Sequence, residues 1–338
     1  MLNSRKKGWT GVCFTLVSFI FVMVFILALL VGRYEISLGN FFKMLFGKEG
    51  YEIERSIVIN LRLPRTIIAA LTGLALSVSG LLYQETFQNK LVSPDLLGVS
   101  SGAGVGAALA ILLGLSSAFV SLLAFGFGIL AVLITLFVAK AFQNKSSMIL
   151  TLSGIIVGSC MGAVLSFIKY LADAETTLAS ITFWLMGSFE QSLMEDVYVL
   201  LPIVAVCSVV ILSISWRINI VALGREEAQT KGINYRMYRM LIIFVATLLT
   251  ASSVAFAGTI SWIGLVVPHI VRLMLGRDTK KTIPMCMVFG ATFMVIADIL
   301  SRTFTASEIP LSAVTGFFGT IIFVVLLFIR RETIHEND

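Results

Sequence analysis

Apolar residues along this chain come in long blocks divided by short polar breaks, a pattern that predicts membrane-length helices. The blocks run approximately over 10–32, 63–85, 96–113, 118–141, 148–170, 196–215, 237–257, 259–273, 284–301 and 311–329. Most approach the ~20 residues that cross a bilayer, and the eighth is short. The first follows Arg5, Lys6 and Lys7, with no small-residue cleavage site behind it, so it reads as a retained span rather than a signal peptide. The expected fold is an all-α polytopic membrane protein of about ten transmembrane helices, with 1–338 as a single transmembrane domain.

Composition sharpens this picture. The 338 residues are 58% hydrophobic and 13% charged, too apolar for one soluble core. The net charge of +6 could suggest nucleic acid, but the bases lie in short loops between blocks, where they act as topology signals. An even number of spans puts both termini on one side. If that side is the cytoplasm, most of the 25 Lys and Arg residues fall inside, as the positive-inside rule expects.

Several chemistries find no support. Cys13, Cys160, Cys207 and Cys286 are far apart in apolar segments without CxxC spacing, which favours packing over disulfides or metal binding. His269 and His335 are the only histidines, and there is no HExxH, GxSxG or GxxxxGK[ST] motif. The chain therefore predicts no catalytic residue, no metal site and no ATP site of its own. Asp298 lies four residues before Arg302, where an i, i+4 ion pair accounts for it, so an acid relay for a proton-coupled carrier is thinly supported.

Three features remain. Arg62, Arg65 and Arg302 fall on the minority side of the charge count, at the outer ends of spans two and nine. They read either as snorkelling anchors or as a positive docking patch for an acidic partner, since guanidinium grips carboxylates with two prongs. Gly154, Gly158 and Gly162 form overlapping GxxxG units in span five, and Gly102 with Gly106 forms another in span three. These serve either close helix packing or a smooth face along a route. The inside loop around 216–236 places Gly224, Glu226, Glu227 and Gly232 where they would bound short surface helices, the alternative being a solvated connector.

A set of words then gives the chain a resemblance. RLPR at 62–65, GLLYQ at 80–84, Asn89 with Pro94, LLGVSSGAGVG at 96–106, WLMGS at 184–188, ALGREEAQTKG at 222–232, AGTISWIGLVVPHIVR at 257–272 and ADILSR at 297–302 follow one another in order. Together they resemble the FecCD-type permeases of type II ABC importers, which carry ferric siderophores, haem or cobalamin. Lys90, Ser93 and the stretch after Ser188 depart from that family's pattern without touching the arginines or the inside loop.

The resemblance implies the BtuC-like fold, with spans 2–5 and 7–10 as an inverted repeat, in a bacterial cytoplasmic membrane with both termini cytoplasmic. It implies two ATPase subunits that bind the ATP, a second permease copy or sister, an extracytoplasmic substrate-binding protein, and no nucleic acid. Arg62, Arg65 and Arg302 would receive the binding protein. Gly224, Arg225, Glu226, Glu227, Ala228 and Gly232 would couple to the ATPases. Ser146, Ser147, Gly154, Gly158 and Gly162 would contribute to a gate, with Trp184 and Gly187 in a short helix beside the outer cavity. The expected function is an ATP-driven pathway for ferric siderophore, with haem or cobalamin next. An ion-coupled secondary carrier or channel is the reading from a different class.

Overall fold

The computed structural model describes residues 2–45, 50–142, 147–305 and 307–335. Among these residues the chain is helical throughout: α1 (Leu2–Leu30), α2 (Leu38–Leu45) and α3 (Glu52–Ser56), a π-helical turn (Ile57–Arg62) and α4 (Leu63–Thr86). A 3₁₀ turn (Pro94–Leu97) leads into α5 (Val99–Leu112), followed by α6 (Ser117–Ala141), α7 (Ser147–Leu171), α8 (Thr177–Met186) and α9 (Met194–Val221). The last elements are α10 (Arg225–Thr230), α11 (Tyr235–Ala257), α12 (Ile263–Leu275), α13 (Thr279–Thr303) and α14 (Leu311–His335).

Each of the ten apolar blocks has its helix, but they differ in reach. Seven helical stretches among the described residues are long and apolar enough to cross a membrane. The helices α5 and α12, at 14 and 13 residues, extend only about 20 Å, less than the ~30 Å hydrocarbon core. Span two is also longer than its apolar block, because one continuous helix runs from Glu52 to Thr86.

The helix lengths reveal the repeat that the residues show only faintly. The series α4, α5, α6, α7 has 24, 14, 25 and 25 residues; α11, α12, α13, α14 has 23, 13, 25 and 25. Each short helix packs on the two that follow it, α5 on α6 and α7, and α12 on α13 and α14. With ten spans crossing alternately, α4 as span two and α11 as span seven run in opposite senses, which makes the repeat inverted. This is a common transporter architecture whose paired short helices end within the membrane.

Helix α4 forms the axis, packed by α9, α11, α12 and α13, and most of its side chains are buried. Small residues permit this. A Cβ on Gly73 would overlap the Gly290 carbonyl of α13, and one on Gly80 would overlap the Gly264 carbonyl of α12. The outer helices α1, α6, α7 and α9 are mostly exposed along apolar faces carrying Phe19, Phe137, Phe167 and Val206, as a lipid-facing or subunit-facing surface requires.

Candidate functional site

The three arginines come together at the end of the molecule where α4 begins and α13 finishes, but they face inward. Helix α1 stops at Leu30, which leaves the carbonyls of its last turn without intrahelical partners. The Leu27 carbonyl accepts from the Val31 amide at 2.8 Å. Arg302 Nη2 donates to Ala28 O at 2.7 Å, and Arg62 Nη1 donates to Leu29 O and Leu30 O at 2.8 and 2.6 Å. Arg62 Nη2 also donates to Tyr34 O, and Gly32 leaves room for it, since a Cβ there would stand 2.7 Å from that nitrogen. Every orphan carbonyl of the first span is thus satisfied, two arginines from distant segments serving as its C-cap and placing positive charge at the negative pole of the helix.

Arg65 works differently. Its Nε donates to Asp298 Oδ1 at 2.8 Å, while Nη1 and Nη2 grip the two carboxylate oxygens of Glu308 at 2.6 and 2.9 Å. The expected Asp298–Arg302 pair is present but longer, at 3.5 Å, and Arg65 is the closer partner. Neither snorkelling nor an exposed arginine patch describes this geometry: Arg62, Arg65 and Arg302 are 5%, 8% and 6% exposed. Glu308, absent from the sequence reading, is the member of the cluster nearest the surface, its side chain 17% exposed where that of Asp298 is fully buried.

A second polar centre lies toward the opposite end of α4. Pro268 has no N–H to give to the Gly264 carbonyl four residues before it. Gln84 Nε2 donates to that oxygen instead, at 3.2 Å, and also to Val92 O at 3.2 Å. Gln84 Oε1 in turn accepts from Arg272 Nη2, and Arg272 Nη1 contacts Glu85 at 3.2 Å. One buried amide thereby ties both irregular approaches to the short helices onto α4. Replacing Gln84 with Leu should cost about 1–3 kcal/mol for each carbonyl left unpaired. Melting of the detergent-purified protein checks this, and a wild-type transition for the Leu variant would refute it.

The loop around 216–236 is an exposed knob on a short stem. Helix α9 continues to Val221, so the stretch from Trp216 is not a separate surface helix, and α10 is the one short helix of the loop. Ala228 is fully buried under α10, whereas Arg225, Glu226, Glu227, Gln229 and Thr230 are exposed. Gly224 (φ 114°, ψ 179°) enters the helix through backbone space that is essentially glycine-only, and Gly232 (φ 70°) leaves it. Gln88 links this knob to the axis. After α4 it occupies a left-handed cap position, with its amide on Glu85 O and the Asn89 amide on Gln84 O. Its side chain donates to Ala222 O at 3.1 Å.

The glycines of α7 divide by environment. A Cβ on Gly154 would overlap the Leu96 carbonyl, on Gly158 it would reach ordinary contact with Ser101, and on Gly162 it would meet nothing within 4 Å. Close packing therefore accounts for Gly154 alone. Ser147 starts α7, and Ser146 lies outside the described residues. Trp184 falls in the last turn of α8, and Gly187 lies just beyond it as a junction: the Ser188 amide donates to Ala257 O, and the Leu311 amide to Gly187 O. His269 holds its own helix, its Nδ1 2.8 Å from Leu265 O, and packs edge-on against Phe323. Cys13, Cys207 and Cys286 are buried and Cys160 is exposed.

Comparison with known proteins places the chain as a whole. The model of the FecCD transport family matches residues 20–329. The molybdate import system permease protein MolB of Haemophilus influenzae is 36% identical over 322 residues, 93% of this chain and 95% of that protein. A probable iron chelatin transport system permease protein of Helicobacter pylori is 35% identical over 275 residues, 81% of this chain and 83% of its own. Among solved structures, an inward-facing ABC transporter described as of the metal-chelate type aligns with a TM-score of 0.86 at 33% identity, covering 94% of this chain and 99% of that one.

Proposed function

This chain belongs to the FecCD transport family and is the permease subunit of a type II ABC importer; we propose that it works as half of a two-permease pathway, driven by two ATPase subunits and fed by a substrate-binding protein. In that reading residues 1–338 are one transmembrane domain of a bacterial cytoplasmic membrane, with both termini cytoplasmic. The end of α4 that bears Arg65 faces outward and the α10 knob faces the ATPases. The observation that carries the proposal is the knob itself: a six-residue helix anchored by one buried alanine, exposed elsewhere, and preceded by Ala222, whose carbonyl accepts from Gln88 at the end of the buried axis. A push on α10 passes through Ala222 and Gln88 to the end of α4, and α4 reaches α12 and α13 through carbonyl-level contacts that cannot slip independently.

Cargo moves between α7, with the open faces at Gly158 and Gly162, and its counterpart in the second permease. The proposed cargo is a chelated metal, ferric siderophore first, with haem and cobalamin behind it. Molybdate is a second reading, favoured by the near full-length relative that imports it. The buried acid of α13 does not resemble an ion-coupling relay, because Asp298 is held by Arg65.

Uptake into proteoliposomes holding this permease, its ATPase and any sister permease tests both parts. With binding protein outside and ATP inside, labelled ferric siderophore should accumulate, and accumulation should stop without either component. Accumulation of molybdate instead would replace the cargo and keep the mechanism. Uptake without the ATPase would overturn the mechanism.

A further inference from the structure

The arginine cluster contains an acid that no feature of the first span or of α13 requires. Arg62 and Arg302 are committed to the carbonyls of α1, and Asp298 is fully buried against Arg65 Nε. Glu308 lies instead in the non-helical connector between α13 and α14, with its carboxylate laid across the outward fork of Arg65. Two parallel N–H···O bonds of this kind form the geometry by which a guanidinium receives a carboxylate from another protein.

We propose that Glu308 is the internal occupant of a carboxylate-binding site on Arg65, and that a glutamate or aspartate of the docking substrate-binding protein takes its place. The inference rests on the reading of a binding-protein-fed importer, in which Arg65 takes the docking role that the family resemblance implies, and adds what the partner acid must displace there. Three observations support it. Arg65 has no fork free for a newcomer while Glu308 remains. Glu308 is the partly exposed acid of the cluster, so exchange at Arg65 needs no entry of a charge into the membrane interior. The cluster contains three guanidiniums against two carboxylates, so an incoming acid is attracted before Glu308 departs.

Displacement would also carry information. The connector bearing Glu308 is tied to α13 by Ser301 Oγ on Ile309 O at 2.5 Å and by the Ile309 amide on Ser301 O at 3.0 Å. Two residues later the Leu311 amide bonds Gly187 O, at the end of α8. Releasing Glu308 loosens the segment that positions the start of α14 and the Gly187 junction, so docking at Arg65 is felt at α8 and α14 without movement of the buried α4–α13 contact.

The test is binding-protein affinity for the complete permease–ATPase complex in nanodiscs, titrated with the purified ligand-loaded binding protein of the same transport system. Glu308→Gln removes the competing charge and should tighten docking by about tenfold, the scale of one charge-assisted hydrogen bond. Glu308→Asp, with a shorter reach to Arg65, should fall between wild type and Gln, and it gives the same reading if the Gln variant does not assemble. Affinity unchanged or weakened in the variants that assemble would overturn the proposal. Arg65→Glu separates the two levels: if wild type docks and Arg65→Glu does not, the docking role stands whatever Glu308 does; if Arg65→Glu docks normally, it is the docking role that fails.

Discussion

Replacing Asp298 with Ala should cost about 3–5 kcal/mol, the penalty for removing one member of a buried ion pair and leaving the other uncompensated. Asp298 is fully buried and accepts from Arg65 at 2.8 Å, with Arg302 at 3.5 Å. Without it three guanidiniums share the single carboxylate of Glu308, in a region from which water is largely excluded. Arg302 would be repelled from its place over the Ala28 carbonyl, so the end of α1 would lose part of its cap as well. Asp298→Asn keeps the shape and a carbonyl acceptor for Arg65 and should be milder. Thermal unfolding of the purified permease measures this, with Glu308→Ala as the contrast: its rim position predicts well under half the loss. Equal melting of Asp298→Ala and wild type would show that the cluster does not hold the α4–α13 contact.

What hydropathy can see explains which parts of this design were readable. The blocks at 118–141 and 148–170 match α6 and α7 within a few residues, because apolar length is both the signal and the physical requirement. Helical residues that leave the apolar region carry no such signal. The stretch from Glu52 to Arg62 includes Glu54, Arg55 and Asn60, yet it is one helix with α4; Arg217 and Asn219 likewise continue α9 beyond its apolar run. Glycine spacing pointed to close approach at Gly102 and Gly106 but not to the partners, the Phe127 and Leu123 carbonyls of α6, and it passed over Gly73 and Gly80, whose partners lie some two hundred residues along the chain.

The arginines and Asp298 could be picked out in the sequence, whereas Glu308 and the wiring among them could not. Sequence proximity offered Arg302 to Asp298, four residues away, whereas the shorter bond comes from Arg65, 233 positions distant. The C-cap of α1 could not be foreseen either, since local capping rules look to the next few residues and these donors come from the π-helical turn before α4 and from α13. Gln84 belonged to a word that marked the family, but its purpose appears only when Pro268 leaves a carbonyl open across the helix crossing.

Coupling should prove most sensitive at the entry to α10, more than at its exposed acids. Gly224 has φ 114° and ψ 179°, where a Cβ costs on the order of 1–3 kcal/mol, and the added atom would stand 3.1 Å from the Gln88 amide nitrogen. Gly232, at φ 70° with open space around it, is in the milder left-handed region, where alanine costs about 1 kcal/mol. Gly224→Ala should therefore turn α10 away from Ala222 and Gln88 and reduce ATP-driven uptake at least tenfold. Gly232→Ala should retain a substantial fraction, and Gln88→Ala, which deletes the tie to Ala222 O and removes no core packing, should fall between them. Because α10 packs mainly on α9 and α11 at the edge of the fold, the strain should open α10 locally and leave the global melting transition of all three variants close to wild type, so the loss appears in transport and in binding-protein-stimulated ATP hydrolysis. The reverse order, with Gly232→Ala worse than Gly224→Ala, would mean that the exit from α10 and its junction with α11 transmits the stroke, and would remove Gln88 from the coupling path.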